Sequence, residues 1–278
     1  MRDIPVSVLV VTKNEEQRIG QCLSSIKGFA EVIVIDSGSC DNTQKIARQC
    51  GARVIDYQWD GAYPKKRQWV LDTQNIGCNW VFWVDADECL TEDITSEIKV
   101  LFENGLNDAG YFVRGQYIWK RTPLSHGLMN NKLALFDRRK MHFPQIDDLA
   151  CDAMGEIEGH YQPVLKPEFS DEKIGQLENV LLHDAYDDEV SWTRRHERYA
   201  KWEAYMNMHK AWPKDPVRSR EMLKKISRTS YLRPALMFVY SYFFKRGFLD
   251  GRAGYEFALS RKAYCEMVLD AMRHKNLK

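Results

Sequence analysis

Residues 80–88 read Trp-Val-Phe-Trp-Val-Asp-Ala-Asp-Glu, and the abrupt change at Asp85 decides how the chain is built. Trp80 to Val84 is a short aromatic and β-branched run, the composition of a strand buried on both faces. It stops at two carboxylates separated by one alanine. The same design recurs twice upstream. Val6 to Val11 ends at Thr12-Lys13-Asn14-Glu15, and Val32 to Ile35 ends at Asp36-Ser37-Gly38-Ser39. Between these runs, Ile19, Cys22, Leu23 and Ile26 recur at helical spacing. A second helix is expected from Asp41 as N-cap to Gly51 at its C′ position, followed by a short strand at Arg53 to Ile55. Lys65 to Thr73 is expected to be helical, and Thr91 to cap a helix that opens with Glu92 and Asp93 and stops near Gly105. Four strands joined by helical crossovers predict an α/β fold, with a Rossmann-like, mostly parallel sheet flanked by helices.

Beyond residue 110 the rhythm changes. Tyr111 to Trp119 and Lys132 to Phe136 read as strands, and 141–180 as loop, with Pro144, Pro163 and Pro167. From His183 onward the pattern is helical: Ser191 to His209, Pro216 to Ile226 and two further segments. The formal net charge of +1 hides an asymmetry. Lys214 to Lys278 holds 15 Lys+Arg and 6 Asp+Glu, about +9, which leaves about −8 for the first 213 residues. A basic C-terminal segment on an acidic body suits an anionic surface as partner. The seven cysteines are scattered with no C-x-x-C pair, as expected of reduced thiols. Met1 to Pro5 leads straight into the first strand without signal-peptide architecture, and Tyr231 to Phe244, the nearest candidate for a span, is interrupted by Arg233 and Pro234. A cytoplasmic protein is therefore expected.

In an open α/β sheet, ligands bind at the carboxyl ends of the strands, which is where all three polar clusters fall. Asp85 and Asp87 are hard oxygen ligands suited to Mg²⁺ or Mn²⁺ shared with substrate phosphates. A zinc site from His160, His183, Cys151 and Asp152 fits no known spacing.

Val10 to Glu15 with Ile19, Val34 to Thr43 and Trp83 to Glu88 resemble the family 2 inverting glycosyltransferases of GT-A fold, most closely the lipopolysaccharide-core β-1,4-glucosyltransferase group. The likeness is specific over residues 5–105 and looser beyond. Cys40 departs from it, since the family often has Thr in this D-x-S-T-D pattern. The resemblance implies a GT-A catalytic domain over 1–212, with a nucleotide-sugar-binding half at 1–105 and an acceptor half at 106–212. A basic helical extension would occupy 213–278. It implies that Asp36 hydrogen-bonds the uracil of a UDP-sugar and that Thr12, Asn14 and Glu15 line the nucleotide pocket. Lys66 and Arg67 would lie beside the nucleotide, and Asp85-Ala86-Asp87 would hold the metal.

Inversion in one displacement requires a base to take the acceptor hydroxyl proton. The resemblance locates it near Gly155-Glu156, where related enzymes often carry His-Glu; here the His is missing. Glu156 is the first choice, Glu158 the second, and Asp147 or Asp148 the third. His160 and His183 are assigned to the acceptor side, His183 by likeness to a lone His of related enzymes. The basic C-terminal segment mixes cations with Tyr231, Phe238, Tyr240, Phe243 and Phe244, which suits a helix lying in a membrane interface. The group's lipid-linked substrates imply a peripheral protein on the cytoplasmic membrane face, with a glycan or glycolipid as acceptor. No nucleic-acid module accompanies the charge. The alternative is a non-catalytic nucleotide-sugar-binding or membrane-surface scaffold protein.

Overall fold

The computed structural model describes residues 3–158, 161–213, 222, 227–228 and 230–274. His160 lies outside the described residues, as does the helix expected over 216–226 apart from Met222. The first half alternates as its sequence demands: β1 (Ile4–Thr12), α1 (Ile19–Ser25), β2 (Phe29–Asp36), α2 (Thr43–Gln49), β3 (Arg53–Asp56), α3 (Lys66–Thr73) and β4 (Trp80–Asp85). The two-residue β5 (Glu88–Cys89) precedes α4 (Glu92–Asn104). Thr91 Oγ1 accepts from Ile94 N at 3.3 Å, the expected N-cap. Gly105, at φ 84°, takes the left-handed conformation that ends α4. α2 starts two residues after Asp41, whose carboxylate instead receives Thr43 N at 3.0 Å in a local turn.

β6 (Gly110–Trp119), β7 (Thr122–Pro123), β8 (Asn130–Asp137), β9 (Met141–His142) and β10 (Val164–Leu165) follow. The loop expected over 141–180 is corrected by β11 (Ile174–His183), a ten-residue strand lying between β6 and β5 in the sheet. A register shift between Gln176 and Val180 breaks its alternation, and only Leu177 and Leu181 are fully buried, so no period-2 signal survives in the sequence. His183 ends this strand rather than opening a helix.

The main sheet runs β3-β2-β1-β4-β8-β6-β11-β5. β3, β2, β1 and β4 are mutually parallel, whereas β8 is antiparallel to both β4 and β6. A mostly parallel sheet flanked by helices is what the sequence predicts. Along β1, Val6, Val8 and Val10 join Ile19, Cys22, Ile94 and Ile98 in the core on one face. Leu9 joins Ile33, Trp83, Val70 and Trp202 on the other. This period-2 division yields three layers.

Register brings the strand ends together. Val11 pairs with Asp85 and Thr12 with Asp36. Because β8 runs antiparallel to β4, its first residues return to the carboxyl end of β4; because β11 pairs with β5, His183 lies opposite Glu88. The helices α5 (Glu189–His209), α6 (Arg233–Val239) and α7 (Gly251–His274) complete the fold. α7 packs against α5 and buries Phe257 with Trp119, Leu124 and Trp192 in a separate aromatic core.

Candidate active site

A cleft of about 1340 Å³ opens at the carboxyl ends of β1 and β4. Thr12, Glu15, Lys66, Arg67, Asp85, Ala86, Asp87, Glu156, Glu158 and His183 all line it. Of the residues expected in the nucleotide pocket, the exposed Asn14 and the buried Asp36 do not line it. Asp36 is fully buried, and its carboxylate receives Ser39 N at 2.8 Å and Gln44 Nε2 at 2.7 Å. Asn14 adopts φ 56°; its N–H donates to Ser39 Oγ at 2.8 Å and its Oδ1 accepts from Cys40 N at 2.9 Å. These two residues clamp the β1 and β2 loops together. The clamp uses the backbone of residue 40, so a cysteine there serves as well as a threonine.

The two carboxylates of Asp85-Ala86-Asp87 have different partners. Asp85 contacts Arg67 Nη2 at 3.0 Å and Lys132 Nζ at 3.2 Å. Burial would raise its pKa, but Lys132 and then Arg67 outweigh burial and hold it well below the usual carboxylate range. Lys132 also pairs with the fully buried Glu88, whose other contact is Asp85 N at 2.8 Å. Asp87 instead faces His183, with Oδ2 and Nε2 3.5 Å apart. Burial would push the His183 imidazole down, yet Asp87 raises it above its ordinary value overall. His183 stacks on Tyr117 at 5.0 Å, so its ring is fixed from behind. It stands beside Asp87 in the cleft.

The base candidates separate by environment. Glu156 lines the cleft, and its side chain is only partly buried. Glu158 is buried, and its Oε1 accepts from Arg67 N at 2.7 Å and Gln68 N at 3.3 Å. Burial raises its pKa against the opposing pull of Arg67. It thus satisfies free N–H groups at the start of α3, a positioning task for Arg67. Asp148 is buried as a hub: Lys65 Nζ at 2.8 Å, Tyr63 Oη at 2.6 Å and Trp202 Nε1 at 2.9 Å all donate to it. It therefore cannot also receive a substrate proton. Asp147 does not line the cleft.

Lys66 is buried, which pushes its ammonium below the usual range while Glu156 and Glu158 oppose that shift. Sequence reasoning missed Lys132 and Arg18. Lys132 is an isolated charge opening the apolar run Leu133 to Phe136, a signal available to inspection. Arg18 joins Glu15 at 2.7 Å to the Asp184 carbonyl at 3.0 Å, a contact no local pattern announces.

The Asp87 carboxylate is a hard oxygen donor suited to Mg²⁺ or Mn²⁺, and the His183 imidazole nitrogen faces it at 3.5 Å. Asp85 is already neutralised by two cations. Among the described residues no three His, Cys, Asp or Glu side chains form a ready-made cation cluster, so substrate oxygens would have to complete the shell.

Comparison with known proteins gives a consistent answer. An uncharacterised glycosyltransferase of Rickettsia typhi is 36% identical over 104 residues, covering 37% of this chain and 35% of that one. The lipopolysaccharide core biosynthesis glycosyltransferase LpsC of Rhizobium meliloti is 32% identical over 92 residues, covering 31% and 33%. The matched stretch thus spans about a third of these curated relatives. Among solved structures, the mannosyltransferase PcManGT of Pyrobaculum calidifontis, in complex with GDP-Man and Mn²⁺, covers 98% of this chain and 88% of its own at a TM-score of 0.53. At 15% identity that likeness speaks to the GT-A fold alone. The profile of glycosyl transferase family 2 matches residues 7–156, more than half of the chain, and the chain belongs to that family.

Proposed function

We propose that this protein is an inverting glycosyltransferase that moves a hexose from a UDP-sugar to a glycan or lipid-linked glycan acceptor in the synthesis of lipopolysaccharide or another cell-surface polysaccharide. The observation that carries this reading is the convergence of Asp85, Asp87, His183 and Glu156 on one cleft at the carboxyl edge of the sheet. Family membership and the name of the Rhizobium relative support it. The GT-A fold shared with the Pyrobaculum protein is compatible with it.

The chemistry follows from the placement of charges. Glu156 takes the proton of the acceptor hydroxyl as that oxygen forms its bond to the anomeric carbon. The bond from that carbon to the diphosphate breaks on the opposite side, its electron pair leaves with the diphosphate, and the configuration inverts. Lys66, Arg67 and Lys132 line the same cleft and favour the charge that develops there. Asp87 and His183 would hold Mg²⁺ or Mn²⁺, which supplies further neutralisation of the leaving group when bound. Asp85 fixes Arg67 and Lys132 in place, and Asp36 and Asn14 keep the nucleotide loops closed on each other.

This reading also puts the protein on the cytoplasmic face of the membrane. No helix among the described residues is long and apolar enough to cross a bilayer. The surface from Tyr231 to Leu249 exposes Tyr231, Leu232, Leu236, Phe243 and Phe244 beside Lys245 and Arg246. Aromatic side chains flanked by cations suit the headgroup layer of anionic lipid. Phe243→Ser with Phe244→Ser is expected to abolish co-sedimentation with phosphatidylserine vesicles; unchanged sedimentation would refute the membrane assignment.

Transfer itself is tested by a panel of UDP-sugars assayed with Mn²⁺ or Mg²⁺ in wild type and Glu156→Gln. At least one donor should turn over in wild type, and the variant should lose about 10²–10⁴-fold in kcat while still binding donor. Full activity in Glu156→Gln would remove it from the mechanism. A panel with no donor bound or consumed would refute the enzyme.

A further inference from the structure

We propose that the wall of the cleft opposite the nucleotide loops is an anion-recognition subsite, so that the sugar acceptor carries a phosphate or carboxylate group. The proposal rests on the glycosyltransferase reading and names the substrate class of its second half. Arg194, Arg195, Arg198, Arg228, Arg233 and Arg261 line this wall. The carboxylates among them are Asp187 and Glu203, and both are already engaged. Asp187 pairs with Arg18 and, at 3.6 Å, with Arg195. Glu203 pairs with Arg233 and accepts from Tyr264 Oη at 2.7 Å. Among the described residues Arg194, Arg198 and Arg261 make no ion pair with a carboxylate, so the wall keeps positive charge after these pairs are formed.

The placement of the guanidinium groups is specific. Arg194, Arg195 and Arg198 fall at i, i+1 and i+4 on α5, together with Ser191 on the face that lines the cleft. Arg194 makes no hydrogen bond or ion pair to another described residue, and Asp188 at the start of α5 acts on it only through space. Arg198 uses its Nε to hold the Ala153 carbonyl at 3.1 Å, and its terminal nitrogens carry four further N–H groups. The buried Nε atoms of Arg233 and Arg261 have no hydrogen-bond acceptor among the described residues. A buried donor without a partner is costly, and an oxyanion in the cleft would satisfy it.

The donor diphosphate does not account for these groups. Lys13, Lys66, Arg67 and Lys132 stand on the nucleotide side, beside the metal-binding pair. The partly buried rings of Tyr199 and Tyr264 also stand among the arginines, and Arg228 lies over the Trp212 ring at 4.2 Å. Guanidinium forks and aromatic planes on one surface select a ring that is apolar on its face and charged at its edge. A neutral acceptor would leave the arginines' desolvation uncompensated.

Calorimetry on protein saturated with UDP and Mn²⁺, which fills the diphosphate site, tests the proposal. The probes are glucose, mannose 6-phosphate, glucuronic acid and inorganic phosphate. At least one charged sugar should bind about tenfold or more tighter than glucose and tighter than inorganic phosphate, and the preference should weaken as salt rises from about 50 to about 500 mM. Preference for mannose 6-phosphate or for glucuronic acid tells a phosphate-bearing from a carboxylate-bearing acceptor. Arg194→Gln with Arg198→Gln should lose about tenfold per arginine in that affinity. Lys27→Gln, exposed at the opposite edge of the sheet, should lose none. Equal affinity for glucose and the charged sugars overturns the subsite. So does a charged sugar that binds no better than inorganic phosphate, or a preference untouched in the double variant. If UDP itself fails to bind with Mn²⁺, the parent function falls and the subsite with it; UDP binding without charge preference removes the subsite alone.

Discussion

The two walls of the cleft are built by different physics. The nucleotide wall comes from adjacent parallel strands whose loops follow the same plan, and its charges are matched one against another: Asp85 with Arg67 and Lys132, Glu15 with Arg18. The acceptor wall comes from β11, α5 and the C-terminal helices, elements far apart in sequence, and it keeps arginines in excess of carboxylates. A matched wall can hold a diphosphate together with a cation. An unmatched basic wall needs its counter-charge from the substrate. Under the proposed function, one fold would supply a shared nucleotide-binding half and a half free to vary with the acceptor.

Asp148 is the joint between the walls, and removing it should break the comparison most severely. It links Tyr63 and Lys65, on the nucleotide side, to Trp202 of α5. Asp148→Ala leaves the Lys65 ammonium, only 2% exposed, without a counter-charge and with the Ile157 carbonyl at 3.5 Å as its remaining acceptor. A loss of about 3–5 kcal/mol in unfolding free energy is expected, read by urea denaturation. A loss below about 1 kcal/mol would show that the walls are held independently.

The contrast also explains what the sequence revealed. The nucleotide wall was legible because its chemistry sits within a few residues of strong strand patterns, as at Val84-Asp85 and Ile35-Asp36. The role of Asp36 was legible only in part: its position was clear, but its burial under Ser39 and Gln44 was not. Glu158 looked like a second base because a sequence cannot show that α3 would begin against its carboxylate. The closeness of His183 to Asp87 was not legible, because β11 is hidden by its bulge and only its pairing with β5 brings the two together. The arginines of α5 carry no local signal of a site, because the cleft that gathers them is made by long-range packing.

A smaller effect sharpens the nucleotide wall. Burial lifts Glu15 to about 7 from 4.5; Arg18 opposes, while Asp87 and Asp187 add to the rise. The folded protein therefore holds a proton there that the unfolded chain releases above about 4.5. The stabilisation is fully present below that pH and is lost as pH rises through about 7. In thermal melts from pH 4.5 to 7, Glu15→Gln should flatten the downward slope of Tm relative to wild type. Parallel curves would mean that Glu15 is ionised throughout that range.

The most direct test is the affinity of UDP measured by calorimetry with and without Mn²⁺, in wild type, Asp87→Asn and His183→Ala. If Asp87 and His183 bind the cation that meets the diphosphate, Mn²⁺ should tighten UDP binding by at least about tenfold in wild type and by much less in either variant. Equal UDP affinity with and without Mn²⁺ in wild type, or an undiminished Mn²⁺ effect in both variants, would contradict the metal-bearing nucleotide site on which the proposed function rests.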